Sequence, residues 1–392
     1  MRVPDHRTAG PGELVAIDLP PGEAWLEVVG DLWWRGVAFL PLDQRLSGSE
    51  RKRILETAQP TTVMERLGET VFPGRPVSAD IGIVMATSGT AGASRLVELS
   101  RSAVIEAVQG SAIALGADAT TPWIACLTPA HVGGLLVLLR GAILGVPVIV
   151  HEGFDPARVS GSGSGGAFVS LVPTMVRRLV EAEVELERLI LLVGGGALDP
   201  GLAETARERG ARVVTTYGMT EVCGGVVYDG LPFGQTQVRL DPTGGIELKG
   251  PTVMEGYRGD PAATGSAFTT DGWLRTGDLG ALTDEGRLVV SGRADDLIRS
   301  GGEKIWPDEV ERALAEHPRV RDVAVAGRPH PEWGQEVVAF VVPTIVDEPP
   351  DLEELRAWAG ERVARFKAPR ALVLVPEIPR TSSGKIRRRA LI

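Results

Sequence analysis

Apolar positions in the first part of the chain come in short uninterrupted blocks. Residues 81–86 (IGIVMA), 123–127 (WIACL), 146–150 (VPVIV), 167–172 (AFVSLV), 189–193 (LILLV) and 212–216 (RVVTT) each read as a strand buried on both faces. Residues 101–115, 134–144, 173–186 and 199–209 carry helical patterns between them. Strands alternating with helices predict an α/β fold with mainly parallel sheets. After about residue 230, residues 237–249 and 273–290 alternate apolar with polar positions around the turn signals DPTGG and TDEG, which predicts a β-rich subdomain. A third pattern starts near residue 296. Residues 306–318 (WPDEVERALAEHP) predict a helix, with Pro307 in its first turn, Asp308 and Glu309 at the positive end of its dipole and Pro318 as its stop. Strands at 320–327 and 336–342, a helix at 351–365 and a strand at 371–375 complete a small α+β domain of about 100 residues. The boundary is placed near Arg293–Asp295, giving an N-terminal domain of residues 1–293 and a C-terminal domain of residues 294–392.

Two stretches invite misreading. The long apolar run 132–150 contains Arg140 and Pro147. A central arginine costs about 2.5–3.5 kcal/mol on the membrane-insertion scale, so the run reads as a buried helix followed by a buried strand. GSGSGG (161–166) fits the spacing of a dinucleotide fingerprint, but it precedes an apolar strand instead of joining a strand to a helix. It reads as a flexible Gly/Ser loop, and a dinucleotide oxidoreductase is excluded.

Composition narrows the partners. The net charge of −10 argues against a nucleic-acid or anionic-lipid surface. Cys126 and Cys223 have no zinc spacing and imply no disulfide framework. With no apolar leader in MRVPDHRTAGPG, a cytoplasmic location is expected. Of 41 basic residues only Lys52, Lys249, Lys304, Lys367 and Lys385 are lysines, so arginine is the default cation and each lysine is informative. Lysine is a compact point charge on a flexible stem, whereas arginine is a planar fork.

Several glycine- and hydroxyl-rich stretches follow the strands. In TSGTAGASR (87–95), Thr87, Ser88 and Thr90 offer hydroxyls, Gly89 lets backbone approach an anion, and Arg95 adds charge; a Gly/Ser turn between strands explains the same residues. Gly194, Gly195 and Gly196 end a buried strand, where a flat ring can lie on backbone, and Asp199 and Pro200 also suit a helix cap and first turn. In YGMTE (217–221), Tyr217 offers a stacking face, Gly218 close approach, Thr220 a hydroxyl, and Glu221 a hard oxygen for Mg²⁺; the Thr-Glu pair also suits helix capping. Asp278 in WLRTGDLG reads as a turn residue able to bind two ribose hydroxyls. Arg293, Asp295, Gly301 and Gly302 in SGRADDLIRSGGEKI suit a hinge with a backbone-lined channel, or a plain linker.

In this order, TSGTAGASR, YGMTE, GWLRTGD, GRADDLIRSGGEKI and PRTSSGKI (379–386) resemble the motifs of the adenylate-forming superfamily of acyl-CoA synthetases, adenylation domains and luciferases, over roughly residues 80–392. The resemblance implies ATP and coenzyme A as substrates with Mg²⁺ on Glu221, and a mobile C-terminal domain carrying the adenylation lysine, Lys385. It implies phosphate contacts from residues 87–95 and Thr220, ribose contacts from Asp278 and Arg293, an adenine and acyl pocket lined by Gly194–Gly196, a hinge at Asp295, and a coenzyme A channel near Gly301 and Gly302. TYGMTEVCGGVVYDGLPF (216–233) most resembles the o-succinylbenzoate–CoA ligases of menaquinone biosynthesis, in their short form. Gly224 and Gly225 would leave room for an aromatic acyl group. His131 matches the family's position beside that group; it also suits a helix-start histidine. The sequence does not identify a partner for the second carboxylate of such an acid. Ala91 and Arg95 stand where the family usually has Thr and Lys, and Arg95 can still bind phosphate bidentately. Other aryl- or short-acyl-CoA synthetases, or a stand-alone adenylation domain loading a carrier protein, are the alternatives. A non-catalytic scaffold would need none of Glu221, Asp278, Arg293 and Lys385. The oligomeric state stays open, a homo-oligomer included.

Overall fold

Leu14–Asp18 is completely buried over its first four residues, and this apolar block lies beside the central strand, Ala38–Pro41, of a seven-stranded sheet. The computed structural model describes residues 9–66, 68–87, 95–380 and 386–392. In this sheet the order is Gly256–Tyr257, Arg95–Ser100, Ile81–Thr87, Ala38–Pro41, Leu14–Asp18, Thr62–Glu65 and Gly68–Val71. Its middle strands are parallel; the pairs Ile81–Thr87 with Arg95–Ser100 and Thr62–Glu65 with Gly68–Val71 are antiparallel. A second seven-stranded sheet runs Leu231–Pro232, Gly224–Tyr228, Arg212–Met219, Leu189–Val193, Ala167–Leu171, Trp123–Ala125 and Val148–Val150. Its last five strands are parallel. Residues 237–293 supply a four-stranded sheet in the order Gln237–Leu240, Gly245–Lys249, Leu274–Leu282 and Leu288–Arg293. The α/β character, the mainly parallel sheets and the β-rich stretch are as the apolar blocks predict.

The chain forms two compact units. One comprises Met1–Arg239, Glu247–Arg275 and Asp284–Leu288; the other comprises Leu240–Ile246, Thr276–Thr283 and Val289–Ile392. In the second unit Val320–His330 and Gly334–Pro343 form a long antiparallel pair, flanked by Ile298–Ser300 with Glu303–Ile305 and by the parallel strand Ala371–Leu374. Its own core gathers Ile298, Val310, Leu314, Val325, Val337 and Leu355.

Local chemistry fixes most element ends. The helix Arg101–Leu115 starts where Ser100 accepts a hydrogen bond from the Ala103 amide and ends at Gly116 with φ 66°. The helix Pro173–Glu181 stops short of residue 186 because Glu183 adopts φ 52°, which no helix continues. GSGSGG is not a loop throughout: its first three residues end the helix Pro156–Gly163, capped by Asp155 with Pro156 in the first turn. Glycine is needed there, since a Cβ on Gly163 would meet Leu189 Cδ2 at 2.1 Å. The run 132–150 divides into the buried helix Val132–Leu144 and the strand Val148–Val150. That strand is half-buried, because it lies at the sheet edge. Among the described residues no helix is long and apolar enough to cross a membrane.

Candidate active site

Three groups of the chemistry-bearing residues meet within the first unit. The first is built by the edge of the first sheet. Gly256–Tyr257 pairs with Arg95–Ser100, Tyr257 opposite Val97, so the Tyr257 ring falls under the Arg95 guanidinium at 5.1 Å. Arg258 anchors this short strand from below. It is buried and bonds Glu98 Oε1 at 2.9 Å and the Ala58 carbonyl at 2.7 Å. Tyr257 Oη donates to Glu221 Oε1 at 3.0 Å. Burial, and then the Glu221 charge, push the Tyr257 hydroxyl up to about 12, so it stays a donor at neutral pH. Glu221 is only 7% exposed and sits in the short 3₁₀ turn Thr220–Val222. No side chain caps that turn, so Thr220 and Glu221 are not a capping pair. Thr87 pairs with Arg95 across the strands, its hydroxyl 3.3 Å from the Arg95 carbonyl. Ser88, Gly89, Thr90 and Ala91 lie outside the described residues.

The second group is a set of glycines at the carboxyl ends of the parallel strands. The strand Arg212–Met219 changes register between Tyr217 and Gly218. A Cβ on Gly218 would lie 1.7 Å from the Gly224 carbonyl oxygen, so only glycine fits. Gly194 lies against Thr216, whose hydroxyl a Cβ would meet at 2.3 Å, and Gly195 has φ 76°. Gly225 packs against Thr216 and Tyr228; Gly224, at φ 91°, faces Val132 and Leu136 of the helix that follows His131. Asp199 caps the next helix by accepting from the Leu202 amide at 2.9 Å, with Pro200 first, as expected.

The third group surrounds that helix. His131 occupies its N-cap position but makes no capping hydrogen bond. Its Nε2 lies 3.9 Å from Asp43 Oδ2 and 3.4 Å from Arg45 Nη2. Burial opposes ionisation of Asp43, but hydrogen bonds from Arg45 outweigh it and hold the carboxyl below its ordinary range. One turn from the helix end, Arg140 is 4% exposed. Its guanidinium stacks 4.0 Å over Trp123 and donates to Ser111 Oγ at 2.9 Å, and Ser111 in turn is 2.8 Å from Tyr228 Oη. Its Nε is buried without an acceptor, and among the described residues no carboxylate pairs with it. Burial pulls it down to about 10, so it stays charged at neutral pH.

The second unit holds the remaining candidates. Asp278 lies inside the strand Leu274–Leu282, not in a turn as the sequence suggests, because Gly277 at φ 74° kinks the strand without ending it. Arg293 Nη1 bonds Asp278 Oδ1 at 3.2 Å and the Thr276 carbonyl at 3.1 Å. Asp295 sits in the 3₁₀ turn Ala294–Asp296. Gly301 and Gly302, at φ 60° and 86°, form the two-residue turn joining Ile298–Ser300 to Glu303–Ile305. Lys385 lies outside the described residues.

Residues 69–258 match the AMP-binding enzyme family, and residues 309–385 match the AMP-binding enzyme C-terminal domain. A probable 2-succinylbenzoate–CoA ligase of Mycobacterium tuberculosis is 37% identical over 90% of this chain and 94% of its own. The chain belongs to the AMP-binding, adenylate-forming family. Among solved structures, o-succinylbenzoate CoA synthetase from Bacillus subtilis in complex with the acyl-adenylate intermediate superposes with a TM-score of 0.88, at 29% identity over 98% of this chain and 88% of that one. The same enzyme with ATP and magnesium ion gives 0.87 at 29% identity, over 98% and 90%.

An AMP-binding enzyme of this kind implies a magnesium ion, and the donor set fits one. Among the described residues no three His, Cys, Asp or Glu gather into a cage. Mg²⁺ is ordinarily held by one or two carboxylates plus substrate phosphates, which a single buried, oriented Glu221 suits. Sequence reasoning missed Tyr257, because its strand of two residues is too short to show any period. It noted Arg140 only as an argument against a membrane span, although one charge inside an apolar helix was the visible signal.

Proposed function

We propose that this chain activates 2-succinylbenzoate with ATP and transfers the acyl group to coenzyme A. A carboxylate oxygen of the acid attacks the α-phosphorus of ATP; the bond to the β-phosphate oxygen breaks and pyrophosphate leaves. The thiolate of coenzyme A then attacks the acyl carbonyl carbon, and AMP leaves with the electron pair of the C–O bond. The protein's share is positioning and charge neutralisation.

The observation that carries the reading is the chain Arg95–Tyr257–Glu221, which pairs a cation for phosphate with an oriented, buried carboxylate. Thr87, Ser88, Gly89, Thr90 and Arg95 bind the phosphates, with Thr220 beside them. Glu221 holds Mg²⁺, which supplies neutralisation of phosphate charge when bound. Tyr217, Gly218 and Gly194–Gly196 form the floor for adenine. Asp278 and Arg293 take the ribose. Lys385 neutralises charge developing between the acid and the α-phosphate. The domain of residues 294–392 turns about Asp295 between the two half-reactions, and coenzyme A enters near Gly301 and Gly302.

His131, Gly224 and Gly225 border the acyl group. The ring carboxylate of the substrate is taken by Arg140, the buried guanidinium without a carboxylate partner. That supports a dicarboxylic aryl acid over a plain fatty acid.

The test is incubation with ATP, Mg²⁺, coenzyme A and 2-succinylbenzoate, with benzoate, 2-hydroxybenzoate and hexanoate alongside, reading thioester and AMP by mass spectrometry. Thioester from 2-succinylbenzoate alone is expected. Thioester from another acid only would keep the chemistry and remove the substrate, and AMP from no acid would remove both.

A further inference from the structure

The run Arg387–Arg389 after Lys385 reads in the sequence as either solvated or packed against its domain, with no part in catalysis; the Arg388 side chain is 14% exposed. Its guanidinium meets carboxylates on two elements. Nη2 bonds Glu311 at 2.8 and 2.9 Å and Asp308 Oδ1 at 2.5 Å, both on the helix Pro307–Ala315. Nη1 lies 3.3 Å from Asp296 Oδ2 in the turn that contains Asp295, and Nε donates to the Val325 carbonyl at 3.1 Å. Its neighbour Arg389 reaches Asp295 Oδ2 at 3.5 Å.

The other side of the motif is held too. Arg380 forms a bridge with Ile386, and the Arg387 amide donates to the Pro379 carbonyl at 2.8 Å, so Lys385 lies in sequence between two paired stems. Arg380 Nη2 bonds both oxygens of Asp322, at 2.8 and 3.0 Å. Three carboxylates and a carbonyl around one half-buried guanidinium fix a backbone far more tightly than a solvated tail requires.

We infer that Arg388 is a positioning residue for the first half-reaction: it clamps the stem following Lys385 to Asp296 and to the helix Pro307–Ala315, and so sets where the lysine can reach. The inference rests on the proposed role of Lys385. The lysine must meet its target within a fraction of an ångström, and misplacement by about 1 Å can cost about 10²-fold in rate. A tail that merely stabilised its domain would serve both half-reactions alike.

The experiment compares Lys385→Ala, Arg388→Ala and Arg388→Lys in the full chain. Pyrophosphate release reports adenylation, and thioester formation from supplied acyl-adenylate reports transfer; melting curves report folding. Lys385→Ala should lose adenylation and keep transfer. Arg388→Ala should lose about 10²-fold in adenylation while transfer stays within a few-fold. Arg388→Lys, whose ammonium cannot serve four acceptors at once, should fall between it and the parent. If Arg388→Ala, which leaves Asp296, Asp308 and Glu311 without this partner, fails to fold, Arg388→Lys carries the comparison. Parental adenylation in the Arg388 variants, or equal losses in both half-reactions, would overturn the inference. Should Lys385→Ala itself retain adenylation, the parent reading falls and this one with it, and that variant alone identifies which has failed.

Discussion

A guanidinium buried without a carboxylate is an unusual residue to keep. Burying a charge is costly unless it is paired and hydrogen-bonded, so an apolar side chain here removes a desolvation penalty. Against that stands the loss of stacking on Trp123, about 0.5–2 kcal/mol. Arg140→Leu should therefore leave the melting temperature unchanged or slightly raised. Activity should move the other way. With a charged partner lost, kcat/KM for 2-succinylbenzoate should fall about 10²-fold, in line with the 2–5 kcal/mol of a buried charged contact. The analogue lacking the ring carboxylate should respond little. Equal losses for both acids would mean that Arg140 serves packing alone. Tyr257 makes a second residue-scale prediction. Its hydroxyl orients Glu221, and outer partners of metal ligands typically change metal affinity about 10–100-fold when removed. Tyr257→Phe should raise the Mg²⁺ concentration needed for half-maximal pyrophosphate release by about that factor. An unchanged Mg²⁺ titration would separate Glu221 from the metal.

At the scale of elements, the helix Pro307–Ala315 packs more acid than base around Arg388. Burial first, offset by Arg388 and reinforced by Asp308, pushes Glu311 up to about 7, and burial likewise raises Asp296. The folded unit therefore holds a proton on Glu311 through a window, between about 4.5 and 7, in which the unfolded chain has released it. Stability from this group is present below about 4.5 and is lost as pH rises toward 7. Glu311→Gln, which cannot ionise, should be close to the parent in melting temperature at pH 5 and gain on it at pH 8. A difference that is flat with pH would show Glu311 ionised throughout. This cluster was invisible in the sequence, since Asp296, Asp308, Glu311 and Arg388 belong to three separate elements and no local pattern links them. Elements marked by local chemistry were legible: the helix Arg101–Leu115 has the predicted bounds because Ser100 and Gly116 delimit it. Elements ended by conformation were not, as Glu183 shows for Pro173–Glu181 and Gly277 for the strand that keeps Asp278 out of a turn. The candidate site divides the same way. Glu221 and the glycines were readable from residue type next to a strand end, whereas Tyr257 depends on which strand Gly256–Tyr257 pairs with.

For the whole molecule, each unit has a core of its own: Leu14, Leu40 and Val84 contribute to one in the first, and Ile298, Val337 and Leu355 to one in the second. Two such cores linked by one chain need not unfold together. At a free concentration one hundred times its Kd, a ligand adds about 2.7 kcal/mol to the state that binds it. Arg95, Tyr257 and Glu221 all belong to the first unit. Scanning calorimetry of the free protein should resolve two heat absorptions, and ATP with Mg²⁺ at that excess should raise the one that belongs to the first unit. Glu221→Gln should shrink that shift and leave the unliganded absorptions where they are. A shift that survives Glu221→Gln unchanged would take the metal and its nucleotide away from this carboxylate.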